Sequence, residues 1–590
     1  MSGTRVSASG ARSSPAAEAP AQPGDRRRRW AVYAVIIVAT LLAVGLRIYD
    51  LSRPGYLFGI SEYDDGTDFG SAVRLVYGAI PYRDFIMVQP PGITLIMFPV
   101  ALATKSFGTD TGMAVARVVT ALAGAAAVPL GGLLTRHRGL FATLVTCGVL
   151  AIYPDSILAA RTVLLEPWLV LFCLLGALAV FDGDRIADSR RRIFLGGLLF
   201  GFAGAIKVWA ILPVAVILLL TARRPRRAAA YAAGVVLGFC VPVLPFALTA
   251  PRTFYRSVVI AQLVRNDIVR IPEGYRLQQM LGLVHSPQLA TLPLVIISIL
   301  VVLIIAAVMV LGSRLAHSPP PALDWFAAGS CVLVVASFLW PADFYYHYAA
   351  FLAPFLALAL ALPAARLVAA VPTRGSDPPE PPGAPPASPF PPHAPERQAA
   401  GSHRAPTGGT RKWLALLRPA ATVVAGVALV VLTVLQVGAE SYEYSGVPAS
   451  EIAAAKQLIP PGACVATDQA SYTIAINRFV SGVPGCSLMI DGVGTDYALS
   501  NGRNGQTGAS SAPAVEAAWM SAFRTARYAW LTSEAYRRIS WTPQLTSYFD
   551  SHFVRLMTWG RDRLYVRAAS PAPGRLKGIP AAAPTPSATP

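Results

Sequence analysis

The sequence predicts an all-α polytopic membrane protein of about eleven transmembrane helices with a small C-terminal extracytoplasmic α/β domain. Three observations predict it. Of the 590 residues 54% are hydrophobic and only 14% are charged, where soluble domains carry about 25% charge; the mean hydropathy is +0.51. Apolar runs recur from residue 30 to residue 439. Beyond 440 the pattern changes to short helix and strand signals separated by turn residues. The formal net charge of +19 lies beside the apolar runs, where basic residues set topology and meet anionic lipid. No nucleic-acid recognition motif accompanies it, which excludes that class of partner.

Residues 1–29 read as a disordered cytoplasmic N-terminus, rich in Ala, Ser and Pro. Arg26 to Arg29 then precede the apolar run Trp30 to Leu46 with no small-residue cleavage site after it, the pattern of an uncleaved signal anchor. Further runs fall near 113–134, 139–154, 161–181, 193–206, 208–221, 228–249, 290–312, 323–341, 347–371 and 413–439. Several are shorter than the ~20 residues an untilted span needs. With eleven spans, Arg136/Arg138, Arg190 to Arg192, Arg223/Arg224, Arg314 and Arg411/Lys412 all reach the cytoplasmic side. The run Ile93 to Phe107 contains Pro99 and would reverse every later loop if it crossed, so it reads as an interfacial or re-entrant helix. Residues 47–112, 250–289 and everything after about 440 then lie outside.

This threading divides the chain into a transmembrane module at 30–371, a Pro-rich disordered cytoplasmic linker at 372–412 and a last span at 413–439. An extracytoplasmic α/β domain at 440–570 and a disordered tail at 571–590 follow. In the tail domain, Glu451 to Leu458 and Ala514 to Ala526 read as helices. Ala463 to Thr467, Tyr528 to Thr532 and Leu564 to Arg567 read as strands. Cys464 and Cys486 both fall in this domain, where a disulfide is permitted; Cys147, Cys173, Cys240 and Cys331 sit in apolar runs as small hydrophobes. No Cys/His spacing of metal type is present.

The first external segment carries the chemistry. Asp50, Glu62, Asp64, Asp65, Asp68 and Asp84 face Arg47, Arg53, Arg74 and Arg83 between residues 47 and 91. Phe69 to Tyr77 has helical apolar spacing, so Asp64 and Asp65 would sit at the N-terminus of a helix lying along the membrane, where carboxylates are stabilised. A carboxylate there can take a proton from a sugar hydroxyl; a solvated charged face is the plainer alternative. Glu166 opens an apolar span, a costly place for an acid. Its function competes with a structural ion pair to Arg161. Lys207, one of five lysines in the chain, interrupts Phe194 to Leu220 and marks the external turn of a short helical hairpin. It could meet a lipid phosphate or simply snorkel. Arg252, Arg256, Arg265, Arg270 and Arg276 make 250–289 unusually basic for an external loop, which suits a polyprenyl phosphate or anionic phospholipid. His347 and Tyr348 are candidate substrate contacts or members of an aromatic belt. Asp468, Asn477-Arg478 and Asp491-Gly492 in the tail domain are candidate acceptor contacts or ordinary turn residues.

The acidic pair after the first span, Pro81-Tyr-Arg-Asp-Phe followed by Gln89-Pro-Pro-Gly, the acid at 166 and the lysine at 207 together resemble the GT-C superfamily of polyprenyl-phosphate-sugar-dependent glycosyltransferases. The similarity is to the branch of protein O-mannosyltransferases and the lipid A aminoarabinose transferase, over roughly residues 30–370. The resemblance implies a GT-C type fold, a polyprenyl-phosphate-linked donor, and inverting transfer to an acceptor hydroxyl of protein, lipid or polysaccharide on the extracytoplasmic face of the cell membrane. By position it implies Asp64 as the catalytic carboxylate, with Asp65 beside it and Glu166 as a second acid. It places Lys207 near the donor phosphate; from the residues themselves, Arg265 and Arg276 of the basic loop and Gln89 are candidate phosphate contacts, and Asp84 and Arg161 candidate substrate contacts. Gln89 stands where some relatives have lysine. Some relatives bind a divalent metal between such acids, so a divalent metal is the one cofactor the resemblance suggests. Mannose and arabinose both fit as the sugar. The competing readings are a transporter or flippase of a lipid-linked sugar, against which the missing internal repeat counts, and a non-catalytic envelope scaffold.

Overall fold

The computed structural model describes residues 23–263, 270–284, 287–370, 408–440, 446–500 and 509–568. The predicted disorder at 1–22 and 571–590, most of the linker, and Arg265 lie outside the described residues.

Each of the apolar runs forms a helix. Helix α1 (Pro23–Ser52) starts inside the stretch read as a disordered N-terminus and is followed by α2 (Tyr63–Val76), α3 (Gly92–Leu102) and α4 (Thr104–Phe107). Then come α5 (Thr109–Thr135), α6 (Leu140–Ile152), α7 (Pro154–Ala160) and α8 (Leu165–Val180). A two-stranded turn of β1 (Phe181–Asp182) and β2 (Arg185–Ile186) leads to α9 (Arg190–Ile206), α10 (Ile211–Thr221) and α11 (Pro225–Thr249). Short helices α12 (Pro251–Tyr255), α13 (Ala261–Leu263) and α14 (Glu273–Met280) precede α15 (Thr291–Leu315), α16 (Ala322–Leu339), α17 (Ala349–Ala370) and α18 (Gly408–Glu440).

The eleven apolar runs read as spans all form helices, of unequal length. Among the described residues seven helices are long and apolar enough to cross a membrane, or eight if α6 and α7, bent by 51°, form one span. Helices α8, α9 and α10 are shorter. Pro154 opens α7 at the first break, and Lys207 adopts extended backbone (φ −149°, ψ 131°) between α9 and α10. Lys207 therefore marks a break, but the flanking helices take different neighbours: α9 packs on α8 and α11, α10 mainly on α16. The α9–α11 contact has a simple cause. Gly197 and Gly201 face Gly234 and Gly238, and a Cβ at Gly201 would collide with the Val235 carbonyl oxygen. Small residues four apart let two helix backbones touch, a recurrent device in membranes.

The tail has α19 (Ala449–Leu458), β3 (Val465–Thr467), α20 (Ala470–Ala475), α21 (Gly492–Ser500), α22 (Pro513–Thr525) and β4 (Tyr528–Leu531). It closes with α23 (Ala535–Arg538), α24 (Pro543–His552), β5 (Phe553–Trp559) and β6 (Asp562–Arg567). Its sheet has the order β3-β4-β6-β5, with β3 parallel to β4 and the other pairs antiparallel. Strand β5 and helices α20, α21 and α24 carry too little alternation to be read from the sequence. Cys464 and Cys486 form a disulfide with a Cα–Cα distance of 5.6 Å.

The two parts share one hydrophobic core. Phe69, Val73, Ile93 and Met97 of α2 and α3 bury against Ala470, Ile474, Phe479 and Ile490 of the tail. Helix α2 is thus not a surface helix along the membrane as the spacing suggested. From Asp65 to Arg74 every residue is buried, between α3 on one side and α20 on the other.

Candidate active site

The start of α2 is built to hold one carboxylate forward. Glu62 caps the helix by accepting from the Tyr63 backbone N–H at 2.9 Å, which satisfies one orphan donor. Asp64 follows in the first turn with its side chain 46% exposed. Successive helix residues point about 100° apart, and Asp65 accordingly turns inward.

Asp65 is fully buried. It accepts from Arg117 Nε at 2.9 Å, from a second nitrogen of the same guanidinium, and from the Val163 backbone N–H at 2.8 Å. Arg117 also donates to the carbonyls of Tyr56 and Leu57. This pair ties α2 to α5 and to the turn before α8. The catalytic role for Asp65 is corrected to a structural one, since every route to its oxygens is occupied by protein.

Opposite Asp64 lies a buried cluster. Glu166, in the first turn of α8, meets Lys207 Nζ at 2.5 Å and His347 Nδ1 at 3.0 Å, both through Oε1. The other imidazole nitrogen, Nε2, stands 3.9 Å from Asp64 Oδ2. Carboxylate, imidazole and carboxylate therefore run in a line from Glu166 to Asp64. Lys207 is 5% exposed; its ammonium lies 3.7 Å from the Trp209 ring centroid and 4.5 Å from that of Tyr348, favourable cation–π geometry. The break in the helix at Lys207 is what turns its side chain into this cluster. Tyr348 acts here as one wall of the lysine's cage.

Several expected contacts lie elsewhere. Arg161 is not the partner of Glu166: its guanidinium is 3.7 Å from Asp50 and lies over the Tyr56 ring. Arg276 is corrected from phosphate binder to staple, because it is fully buried and its nitrogens donate to the carbonyls of Ile271, Phe338 and Ala342. Asp84 lies in an exposed turn. It pairs with its neighbour Arg83 at 2.8 Å and accepts from the Ile80 N–H at 2.7 Å; the Arg83 hydrogen bond holds its carboxyl below the usual range. Gln89 is half-buried, and its backbone carbonyl accepts from the Tyr82 hydroxyl at 2.6 Å; its side chain makes no hydrogen bond among the described residues. Arg270 is committed to Glu273 and to the Leu339 and Trp340 carbonyls. Arg252 and Arg256, with Tyr255, instead line a cavity of about 480 Å³ against Ala498 and Leu499 of α21.

The tail holds the residues on either side of Asp64. The Glu62 carbonyl accepts from Gln469 Nε2 at 3.1 Å and from the Ser471 hydroxyl at 2.9 Å. The Tyr63 hydroxyl donates to Asp491 at 2.9 Å, and the Arg538 guanidinium lies 4.4 Å above the Tyr63 ring. Gly66 permits this approach: a Cβ there would collide with the Ser471 nitrogen. From the membrane side, the Tyr346 hydroxyl donates to Glu62 Oε2 at 2.9 Å, one residue before His347. Asp468 and Arg478, by contrast, serve the tail's own fold through Thr532, Arg538 and backbone carbonyls. Asn477 accepts from the Thr109 N–H and so docks the tail on α5.

The residue that sequence reasoning passed over is Asp68, one turn beyond Asp64 and 3% exposed. Burial, then the charges of Asp64 and Glu166, push its carboxyl well above the usual range, while Lys207 opposes them. The signal was present in the four-residue spacing from Asp64, which places both acids on one helix face. Among the described residues no group of three His, Cys, Asp or Glu side chains could hold a metal ion. With Asp65 committed to Arg117, the acids do not fit a divalent ion between them.

The fold is that of a polytopic membrane protein with a buried charged cluster beside an exposed carboxylate. Residues 88–341 match the family model described as glycosyltransferase family 87, a stretch that holds Glu166 and Lys207 and leaves Asp64 and His347 on either side. The structure is similar to ArnT from Cupriavidus metallidurans bound to undecaprenyl phosphate, at 15% identity over 92% of this chain and 99% of that one, with a TM-score of 0.51. The apo state of the same protein gives 14% identity, the same coverage and 0.52. A partial likeness to the Saccharomyces cerevisiae protein O-mannosyltransferase Pmt1-Pmt2 complex bound to the sugar donor covers 38% of this chain and 33% of that one, at 16% identity and a TM-score of 0.29. No curated protein matches by sequence. The family match covers less than half of the chain, and the fold as a whole is similar to that of ArnT.

Proposed function

We propose that this protein moves a sugar of mannose or arabinose type from a polyprenyl-phosphate donor to an acceptor hydroxyl at the extracytoplasmic face of the cell membrane. The observation that carries the reading is the placement of Asp64. It is the accessible carboxylate of the pair, at the head of a clamped helix, facing His347, Glu166 and Lys207. The undecaprenyl phosphate bound to the similar fold supports a lipid-phosphate donor.

In the proposed step the acceptor oxygen bonds to the sugar C1 as the C1–O bond to phosphate breaks, and that electron pair leaves with the phosphate oxygen. The acceptor proton passes to Asp64, a general-base role. His347 Nε2 can share that proton, and Glu166 stabilises the imidazolium through Nδ1. Glu166 Oε1 serves both His347 and Lys207. As positive charge gathers on His347, the hold of Glu166 on Lys207 weakens and the ammonium can turn toward the departing phosphate. Charge stabilisation at the leaving group is of the oxyanion-hole type. The acceptor, whether protein, lipid or polysaccharide, would enter over the exposed edge of Asp64, beside the tail.

The test is label transfer in membranes from polyprenyl-phosphate mannose and, in parallel, polyprenyl-phosphate arabinose, comparing wild type with Asp64→Asn at matched expression. Label entering an acceptor only with wild type supports the reading. Equal transfer by the variant removes Asp64 as the base, and no transfer from either donor moves the function toward transport.

A further inference from the structure

A buried carboxylate normally has donors around it, because an unpaired one is among the most costly groups a fold can hold. Asp68 does not have them. Its side chain is 3% exposed, and among the described residues it accepts no hydrogen bond and joins no ion pair, although its backbone carbonyl accepts from the Ser71 hydroxyl. The charged groups that act on it are three acids, Asp64, Glu166 and Asp491, against one cation, Lys207. That cation is already in contact with Glu166.

We infer that Asp68 is the residue that holds the donor sugar ring, accepting from two neighbouring ring hydroxyls when the donor is bound. The inference rests on the proposed transfer reaction and names the substrate contact within the same site. The geometry separates the two acids of this helix face. Asp64 is half-exposed and meets His347, as a base that must reach an incoming acceptor should. Asp68 sits one turn deeper, enclosed, where a ligand that enters must bring its own donors. Vicinal hydroxyls offer two at the spacing of a carboxylate's oxygens. A metal ion is a poorer match, since no third ligand converges among the described residues. Thr67 and Ser71 flank Asp68 but are engaged with Ile490 and Thr94.

The experiment uses the full chain in membranes with polyprenyl-phosphate mannose and polyprenyl-phosphate arabinose, together with the monodeoxy analogues of whichever donor wild type accepts. Asp68→Ala should raise the donor KM by about tenfold, the worth of a hydrogen bond, with a smaller change in kcat. Asp68→Asn should recover part of the loss. Wild type should lose affinity for one or two particular deoxy donors, and the Ala variant should not lose it again. An unchanged KM, a loss confined to kcat, or the same deoxy penalties in both proteins would overturn the inference and leave the transfer reaction standing. Should the Ala variant fail to elute as wild type does, the Asn variant carries the same deoxy comparison. If wild type transfers from neither donor, the proposed function falls and this inference falls with it.

Discussion

Replacing Asp65 by asparagine separates structure from chemistry at the acidic pair. The side chain is fully buried, and three donors converge on it: two nitrogens of Arg117 and the Val163 N–H. Asparagine keeps the shape but loses the charge, and its amide presents N–H groups to a guanidinium that has only N–H groups to offer. Arg117, itself 1% exposed, is then a buried cation without its counter-ion. Removing one partner of a buried pair costs about 3–5 kcal/mol. In a chain of this size that should lower the midpoint of thermal unfolding in detergent by on the order of 5 °C. Arg117 keeps its contacts to Tyr56 and Leu57, so local collapse need not follow.

The assay is thermal unfolding of purified wild type, Asp65→Asn, Arg117→Gln and the double variant, with sugar transfer measured below the lowest midpoint. In the double variant the introduced glutamine amide can donate where the guanidinium did, so its loss should fall short of the sum of the single losses by about 1–3 kcal/mol. Transfer by Asp65→Asn should remain measurable once stability is restored by cooling. A wild-type midpoint combined with abolished transfer would refute the structural assignment and return Asp65 to the chemistry.

Other outcomes follow from the same geometry. Tyr63→Phe removes the hydroxyl that Asp491 accepts and should lower transfer by about tenfold through kcat, one hydrogen bond's worth of positioning, with the unfolding midpoint little changed. Cys464→Ser with Cys486→Ser opens a loop with a sequence separation of 22 and should destabilise the tail by about 3 kcal/mol, seen as earlier proteolysis of the tail than of the membrane module. Gly201→Leu places a side chain against the Val235 carbonyl and should prevent α9 and α11 from packing, read as loss of monodisperse protein in detergent. Glu166→Gln should lower kcat by more than about tenfold, because the amide cannot stabilise an imidazolium on His347; an unchanged kcat would remove Glu166 and His347 from the proton path.

Much of the scaffold was legible because bilayers demand it. Long apolar runs have one cheap physical reading, and the resemblance supplied their order. Where each helix breaks was not legible. Pro154 and Lys207 end helices that composition alone would continue, and a break in backbone geometry leaves no mark in hydropathy. At the site, the costly residues were the visible ones. Glu166 and Lys207 drew attention because charge in an apolar run needs a partner, and they turn out to partner each other. The same logic misread Arg276, since arginine's several donors can be satisfied by backbone carbonyls that sequence does not display. It misassigned Arg161 as well, whose partner Asp50 lies on a different helix. Asp65 and Asp68 were indistinguishable from Asp64 by type; only the direction each takes around α2 separates buried staple, enclosed acid and exposed carboxylate.

That separation depends on the tail. A helix N-terminus at the end of a membrane module has little to hold it, since α2 carries two glycines and its apolar face is shared between α3 and α20. The fold answers by pinning both residues that precede Asp64. Gln469 and Ser471 hold the Glu62 carbonyl, Tyr346 holds the Glu62 carboxylate, and Asp491 holds the Tyr63 hydroxyl. Tyr346 adjoins His347, so the group that fixes the start of α2 also fixes the imidazole that faces Asp64. The disulfide closes the segment that supplies Gln469 and Ser471. The base proposed here must be held within a fraction of an ångström of its productive place. Here that precision comes from outside the membrane module, and the tail is as much a part of the site's architecture as the helices that span the bilayer.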